Sequence, residues 1–468
     1  MTQQQTSNRA VLVVIVLASF LPSFVGSSLS ISAPAIGMEF HAPAVSLGWL
    51  IAAFILCSVV FVLPFGRLGD LTSRRTLLVI GFLILTVTSL IIVVFVSSFE
   101  WLIFLRVVQG IGGACIFATN QAILSDAYPP NMRGRVLGIS ISAVYIGLAC
   151  GPVLGGLLTH NFGWRSLFVF IALWALVTLV AACIKLPPNS QVRAPGKLAE
   201  QLDLPGCFLY LLATFCLAYG LNEVPRLYSW PLIAASVIFI IAFIAYENRA
   251  LQPLLAPRVF KAGPNFLLSS FSALLNYGAT FAVTYLLSLY LQQAQALSAD
   301  VAGLVLVTAP LIQAIVSPIA GRLSDRYSPF RLASLGMALC GIALVSLVFI
   351  NEHSSLLHIF ISLAVVGSGF ALFSSPNTNA VMSEVPRADY GIGVSFLTTM
   401  RNLGQLSSMA VITIVMSLII GTTPMDMTTP EQIVSITRTC FIVCIAFSVV
   451  GIFTSLNRRS RKSQGSNR

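Results

Sequence analysis

The sequence predicts an all-α protein that is embedded in a lipid bilayer. Of its 468 residues, 57% are hydrophobic and only 9% are charged, whereas about 25% of the residues in a soluble domain are charged. Apolar stretches of about 20 residues, the length that crosses a bilayer as a helix, recur along the whole chain. Because lipid offers the backbone no hydrogen-bond partners, separate spans must be helical. We therefore expect a polytopic helical membrane protein.

The apolar runs are separated by polar breaks into 14 spans. They lie near residues 11–36, 46–65, 76–97, 101–123, 134–159, 166–186, 204–222, 229–247, 265–291, 301–320, 331–350, 356–380, 391–420 and 436–456. The loops on one side carry most of the Lys and Arg residues, and those on the other have only Arg165, Arg226 and Arg438. Because cationic loops stay in the cytoplasm, we expect a multi-pass protein of the cell membrane (inner or plasma membrane) with both termini cytoplasmic. The net charge of +11 then reflects topology, and no nucleic-acid partner is expected.

A short charged turn separates the second and third spans. It covers residues 66–75, with the sequence GRLGDLTSRR, and a second copy, GRLSDR at residues 321–326, follows 255 residues later. The first copy resembles the signature loop of the major facilitator superfamily, G-x-L-x-D-x-x-G-R-K, although Ser73 replaces the second glycine and Leu71 the usual basic residue. The resemblance implies a major facilitator fold, in which two similar six-helix bundles surround a central cavity.

The second signature copy also sets the predicted domain boundaries. If it follows the second span of its own bundle, that bundle begins near residue 265, and spans seven and eight form an insert. The predicted units are an N-terminal six-helix bundle (1–187), a linker with two extra transmembrane helices (188–262), a C-terminal six-helix bundle (263–457) and a basic cytoplasmic tail (458–468). This layout of 14 helices resembles the drug:proton antiporter branch of the superfamily.

The resemblance implies that the signature loops form a conformational latch at the cytoplasmic face. Span thirteen begins on that face near Tyr390, so the positive end of its helix dipole is available to Asp70. The symmetric pairing brings Asp325 to the start of span five. The predicted latch residues are Gly66, Asp70, Arg74, Arg75, Asp325 and Arg326. An ordinary positive-inside turn is the alternative interpretation of each copy.

Two arginines lie deep within predicted spans. Arg106, followed by Gln109 and a run of glycines, matches the superfamily pattern for the fourth helix, and Arg401 lies near the bilayer midplane in span thirteen. A cation at such a depth is costly unless it faces protein or water. Both arginines are therefore candidates for a functional role, and the resemblance implies proton coupling or the charge of the cavity. A purely structural hydrogen-bonding role is the alternative for Arg106.

Span five carries closely spaced small residues that resemble the antiporter motif of the superfamily. The motif residues are Gly147, Gly151, Pro152, Gly155 and Gly156. Glycines four residues apart form a smooth groove that a neighbouring helix can approach closely, and a proline within a helix removes one hydrogen bond and permits bending. We expect this segment to seal or hinge the contact between the two halves, although generic glycine-rich packing would also explain the small residues.

Acidic residues avoid the spans. All 15 Asp and Glu residues lie in loops or at span ends, and Val25 stands where antiporters of the 14-helix branch usually carry an aspartate. A neutral, zwitterionic or anionic substrate therefore stays as open as a cationic drug. The candidate residues of the substrate cavity are polar groups within the spans, namely Ser28, Gln109, Tyr145, Asn276, Tyr277, Gln313, Asn377, Asn379 and Asn402.

These features predict a secondary active transporter rather than an enzyme. We expect alternating access with proton-coupled efflux of small amphipathic compounds, as in multidrug export. The first alternative is a uniporter or an anion or organic-acid carrier that uses Arg106 and Arg401 for substrate charge. The second is a receptor or scaffold that kept the fold.

Cofactor and enzyme motifs are missing from the sequence. It contains no phosphate-binding loop with its lysine, no zinc-binding H-E-x-x-H and no nucleophile elbow. The nine cysteines fall within apolar runs without a C-x-x-C pair, so packing explains them better than metal binding. We therefore expect no metal and no cofactor, a proton gradient as the energy source, and a monomer in the lipid bilayer whose partners are protons and a small-molecule substrate.

Overall fold

The computed structural model describes residues 3–128, 130–187, 202–223, 226–250, 254, 264–384, 390–421 and 427–456. Within these residues the chain forms 16 α-helices. They are α1 (Gln3–Glu39), α2 (Trp49–Leu71), α3 (Arg74–Phe95), α4 (Phe99–Ala127), α5 (Pro130–Phe162), α6 (Arg165–Lys185), α7 (Leu204–Glu223), α8 (Ser229–Glu247), α9 (Pro264–Thr280), α10 (Ala282–Leu289), α11 (Ala299–Leu306), α12 (Thr308–Arg326), α13 (Pro329–Val348), α14 (Leu356–Glu384), α15 (Tyr390–Ile419) and α16 (Pro430–Leu456). A 3₁₀ turn (Ala44–Gly48) precedes α2, and a π-helical turn (Tyr290–Ala294) follows α10.

These helices make 14 candidate membrane spans in the described part of the chain, so the predicted all-α architecture and the predicted number of spans are confirmed. Two spans consist of two helices each. The ninth span joins α9 and α10, and the backbone N–H of Ala282 at this junction donates to the hydroxyl of Ser408 on α15. The tenth span joins α11 and α12 at Val307. The basic tail predicted at 458–468 lies outside the described residues.

The two halves repeat one packing scheme. In the N-terminal half, α1 packs on α5, α2 on α4, and α3 on both α4 and α6. The corresponding pairs of the C-terminal half are α9 with α15, α12 with α14, and α13 with both α14 and α16. First–fifth, second–fourth, third–fourth and third–sixth contacts therefore occur in both halves, as expected for a duplicated six-helix unit.

Paired glycines occupy the same crossing in each half. A Cβ added to Gly81 on α3 would lie 2.7 Å from the carbonyl oxygen of Gly112 on α4, and one added to Gly112 would lie 2.9 Å from that of Gly81. Gly336 on α13 and Gly369 on α14 have the same reciprocal relation, at 2.5 and 2.7 Å. Helices approach this closely only where side chains are absent. The repeated crossing supports the duplication independently of the signature loops.

The helices α7 and α8 form the insert between the two halves. Helix α8 packs mainly on α7, whereas α7 also packs on α2 of the first half and α15 of the second. The hydroxyl of the buried Tyr210 on α7 donates to the carbonyl of Val59 on α2 at 3.0 Å and lies within hydrogen-bonding reach of Thr399 on α15. One insert side chain therefore touches both halves.

Helix α5 holds α1 in a groove of glycines. Cβ atoms added to Gly147 and Gly155 would lie 2.5 Å from the carbonyl oxygen of Phe20 and 2.8 Å from Cβ of Ser28, respectively. A Cβ on Gly151 would overlap the side chain of Ser27. The four-residue spacing of these glycines thus creates the close helix approach that the sequence predicts, but at these three glycines the neighbour is α1 of the same half and not the other half.

Replacing Gly151 with alanine should destabilise the N-terminal half. The added methyl group has no space against Ser27, and overpacking of this kind costs about 1–3 kcal/mol. Gly26→Ala on α1 is the matched control, because a Cβ there would meet no atom within 4 Å and alanine favours helix over glycine by about 1 kcal/mol. We expect a lower melting temperature in a detergent thermal-shift assay for Gly151→Ala alone. An unchanged melting temperature for Gly151→Ala would contradict the α1–α5 contact.

Candidate transport site and gates

The contacts between the halves can be described relative to the signature loops. We call the side that carries residues 66–75 and 321–326 the signature face, and the other side the distal face. At the distal face, α5 of the first half packs directly on α11 of the second. A Cβ on Gly156 would overlap the carbonyl of Ala299, and a Cβ on Gly303 would overlap that of Pro152. Two residues of the predicted antiporter motif, Pro152 and Gly156, thus lie in the interface between halves.

Two further contacts join the halves at the distal face. The hydroxyl of Ser288 donates to the carbonyl of Ser30 at 2.9 Å, and the amide of Gln292, in the π-helical turn, donates to the carbonyl of Ile31 at 3.1 Å. On the other flank, a Cβ on Gly48 would lie 3.3 Å from Oγ1 of Thr413 on α15. The distal face is therefore closed by three pairs of elements: α1 with α10, α5 with α11, and the start of α2 with α15.

A polar cluster lies where the halves meet further toward the signature face. The hydroxyl of Tyr145 on α5 lies within hydrogen-bonding reach of Ser317 on α12 and Ser374 on α14, and it is close enough to Tyr277 and Arg401 to interact with them electrostatically. We call Tyr145, Tyr277, Ser317, Ser374, Thr378 and Arg401 the central cluster. It combines one residue of the first half with five of the second.

Arg401 is the charged member of the central cluster. Its side chain is partly exposed, and Nη2 donates to Oγ1 of Thr378 at 2.6 Å. The guanidinium carbon lies 5.5 Å from the centre of the Tyr277 ring, and Nε is buried without a hydrogen-bond partner. The ring of Phe370 contacts Tyr277 edge-on at 5.1 Å. Arg401 is thus a cation in a partly aromatic setting with donor capacity to spare.

Arg106 has different surroundings. Its side chain is 1% exposed, Nε donates to the carbonyl of Leu50 on α2 at 2.8 Å, and Nη1 donates to Oε1 of Gln109 at 2.7 Å. The guanidinium lies over the ring of Phe54 at 4.8 Å, and Gln109 continues the network to Ser89 on α3. Arg106 and Gln109 therefore lie inside the first half, joining α4 to α2 and α3, and they do not face the central cluster.

The other predicted cavity residues are spread over three environments. Ser28 is buried between α1 and α5, and Asn276 and Asn377 are buried inside the second half, facing Cys340 and the carbonyl of Ser269. Gln313 and Asn402 are partly exposed. Asn379 is exposed and donates to Ser324 near the signature face. Of the predicted set, Tyr145 and Tyr277 come together with Arg401.

The signature loop connects helices of the first half. Ser73, which replaces the motif glycine, caps α3 by accepting a hydrogen bond from the Thr76 N–H at 3.2 Å. Arg74 forms an ion pair with Asp126 on α4, and Arg75 donates to the carbonyl of Cys183 on α6 at 2.5 Å. These two predicted latch residues thus have partners within their own half.

The remaining latch residues are less well defined by contacts. The side chains of Asp70 and Asp325 lie outside the described part of the structure, as do those at the start of α5 and α15, so their predicted pairings stay predictions. Arg326 is exposed at the end of α12. A Cβ on Gly66 would meet no atom within 4 Å, whereas one on Gly69 would lie 3.2 Å from Leu77. Close helix approach therefore explains Gly69 but not Gly66.

Sequence reasoning missed several residues of the site. Ser317, Ser374 and Thr378 are short hydroxylated residues that also occur at random on buried helix faces, and Phe370 is one of 31 phenylalanines. Tyr210 lies in the insert, for which the duplication offers no counterpart. A signal was available for Thr378, since it lies between the predicted Asn377 and Asn379. In the described part of the chain, no group of three or more His, Cys, Asp or Glu side chains could hold a metal ion.

The fold and this site define a membrane transporter with two bundles around a central interface. The profile of the Major Facilitator Superfamily matches residues 15–264 and 269–468, so the chain belongs to this family. It is 31% identical to the riboflavin transporter RibZ of Clostridioides difficile (strain 630) over 84% of this chain and 85% of that protein. It is 28% identical to the multidrug resistance protein Stp of Mycobacterium tuberculosis (strain ATCC 25618 / H37Rv), over 82% of this chain and 71% of Stp.

The same fold occurs in a solved structure. The in meso crystal structure of the POT family transporter PepTSo aligns with a TM-score of 0.69 over 97% of this chain and 99% of PepTSo, at 16% identity. The identity is low, so this likeness concerns the fold alone. The chain thus shares its overall helix arrangement with a protein of distant sequence.

The contrast between the two arginines can be tested by their effects on stability. Arg106→Ala leaves the carbonyl of Leu50 and Oε1 of Gln109 without their donor and opens a cavity, which should lower the free energy of unfolding by about 2–4 kcal/mol. Arg401→Ala removes one hydrogen bond from a partly exposed side chain, so it should change the free energy of unfolding by less than about 1 kcal/mol. Chemical denaturation in detergent measures both. Similar losses for the two variants would contradict the structural role of Arg106.

Proposed function

We propose that the protein is a secondary active transporter that exports small amphipathic compounds in exchange for protons by alternating access. The observation that carries this proposal is the closure of the distal face. Its closest contacts are backbone contacts between halves, at Gly156 and Gly303, supplemented by the hydrogen bonds of Ser288 and Gln292. The glycine contacts contain no interlocking side chains, so they can separate when the bundles rock and open a path to the central cluster.

The export direction and the substrate type are supported by relatives. Stp is named a multidrug resistance protein, and the tetracenomycin C resistance and export protein of Streptomyces glaucescens is 26% identical over 84% of this chain. RibZ is named a riboflavin transporter. We infer a small, largely aromatic substrate, a proton gradient as the energy source with no cofactor, and a monomer in the cell membrane with both termini cytoplasmic.

Locking the distal face should stop transport. Gly48 and Thr413 belong to opposite halves, and a Cβ on Gly48 would lie 3.3 Å from Oγ1 of Thr413. Since Sγ takes the place of Oγ1 in Thr413→Cys, the two cysteine side chains are within reach of a disulfide. We expect the double variant Gly48→Cys/Thr413→Cys to lose substrate transport in proteoliposomes on oxidation and to regain it on reduction. The background should lack Cys183 and Cys150, the cysteines that are not buried.

The single variants in the same background are the controls for the cross-link. Neither should respond to oxidation, because neither can join the halves. Full transport by the oxidised double variant, with the disulfide verified by mass spectrometry, would contradict alternating access through the distal face. The result does not depend on the identity of the coupling ion.

Proton coupling is tested by the pH inside proteoliposomes. Addition of a transported compound to vesicles without a pH gradient should change the signal of an enclosed pH dye, because each antiport cycle moves a proton against the substrate. The oxidised Gly48→Cys/Thr413→Cys protein, which cannot cycle, is the matched control. Substrate movement without any proton movement would contradict antiport.

The alternative is a uniporter or a carrier of organic anions. It is favoured by one observation: every Asp and Glu whose position is described lies near a helix end or in a connection, whereas Arg401 lies within α15. Arg106, named with Arg401 in this alternative, is enclosed within the first half. Uniport predicts substrate flux without a change in the dye signal, so the same experiment distinguishes the two.

A further inference from the structure

The charge of Arg401 has no counter-ion in the described part of the structure. Among the described residues, its hydrogen bond goes to the neutral hydroxyl of Thr378, and Nε is buried without a partner there. A guanidinium carries five N–H donors in a planar fork that suits a carboxylate. At membrane depth an unpaired cation is costly. The site therefore favours any molecule that brings a negative charge to Arg401.

One aromatic ring lies against the same guanidinium, and a second ring packs on the first. Tyr277 lies beneath it at 5.5 Å, and Phe370 contacts Tyr277 edge-on, with 65° between the ring planes. Tyr145 approaches from the other half. Rings in such positions favour a planar aromatic ligand through offset or edge-to-face contacts, each of which adds about 0.5–1.5 kcal/mol. The cluster thus favours a ligand that carries a negative charge and also has a planar aromatic ring.

The other deep arginine does not share this property. Arg106 donates two hydrogen bonds, one to Leu50 and one to Gln109, and its side chain is enclosed between α4, α2 and α3. It therefore offers no surface to a ligand at the interface between halves. Carboxylates that could attract a cationic ligand lie at the helix ends, for example Asp126 at the end of α4 and Glu384 at the end of α14.

We infer that the central cluster is a binding site for small planar aromatic anions, with Arg401 holding the acidic group and Tyr277, Phe370 and Tyr145 contacting the ring. This inference rests on the proposed function, since it names the substrate class of the transport site. Aromatic monocarboxylates are the simplest members of that class. Aromatic cations of the same size are excluded by the charge of Arg401.

Three ligands with one ring system isolate the charge. We would measure the binding of 2-naphthoate, 2-naphthamide and 2-naphthylmethylammonium to the purified protein in detergent by isothermal titration calorimetry. The naphthoate should bind at least about tenfold more tightly than the amide, equivalent to about 1.4 kcal/mol. The ammonium compound should bind more weakly than the amide. Equal affinities, or a preference for the ammonium compound, would overturn the inference.

Variants of Arg401 test whether this residue causes the preference for naphthoate over the amide. Arg401→Gln should bring the affinity for naphthoate down to that for the amide in the same variant, and Arg401→Lys should restore part of the difference. The matched control is Arg226→Gln, which removes an exposed cation paired with Glu223 in the insert and should keep the full preference. A preference that survives in Arg401→Gln would assign the charge to another residue and overturn the site.

The binding experiment is independent of transport. It uses no vesicles and no gradient, so it can succeed even if the pH-dye assay contradicts proton-coupled export. Conversely, a failure of naphthoate to bind preferentially would overturn the substrate class and leave alternating access intact. Chloride binding without naphthoate binding, measured by the same calorimetry, would overturn the aromatic part of the inference.

Discussion

Close approach of helix backbones is the constraint on which this structure depends. Apolar side chains gain little by leaving lipid for other apolar side chains, so helices in a membrane associate through tight packing and hydrogen bonds. Glycines provide that packing in three kinds of contact: at one crossing within each half (Gly81/Gly112 and Gly336/Gly369), between α1 and α5, and between the halves at Gly156 and Gly303. The first two kinds of contact build rigid bundles. The third joins the two bundles, which separate in the proposed transport cycle.

Two arginines at membrane depth show how the environment decides the role of a side chain. Arg106 is enclosed and its donors are used by Leu50 and Gln109, so it stabilises the first half. Arg401 keeps unused donors beside aromatic rings at the interface between halves. The same residue type is therefore enclosed by hydrogen-bond acceptors in one half and lies with unused donors at the interface in the other. The duplication has preserved the helix arrangement while allowing the polar positions to diverge.

Much of the fold could be predicted from the sequence, because span length, loop charge and repeated motifs are one-dimensional signals. The direction of each side chain could not, since almost every face of a membrane span is apolar and periodicity carries little information. Ser28, Gln109 and Asn276 were therefore expected in the cavity, although each lies inside its own half. Tyr145 and Tyr277 were expected in the cavity too, and they come together with Arg401. Tyr210 was missed because its importance depends on which helices the insert touches.

The hydrogen bond between Tyr210 and Val59 ties the insert to the first half, so a rocking motion of the halves changes the free energy of this contact. Helix α7 rests on α2 and α15 together, so it cannot stay in register with both when they move apart. Breaking this buried bond leaves a hydroxyl and a carbonyl unpaired, which costs about 1–3 kcal/mol. In the proposed cycle the additional pair of helices therefore adds resistance to the opening of the bundles.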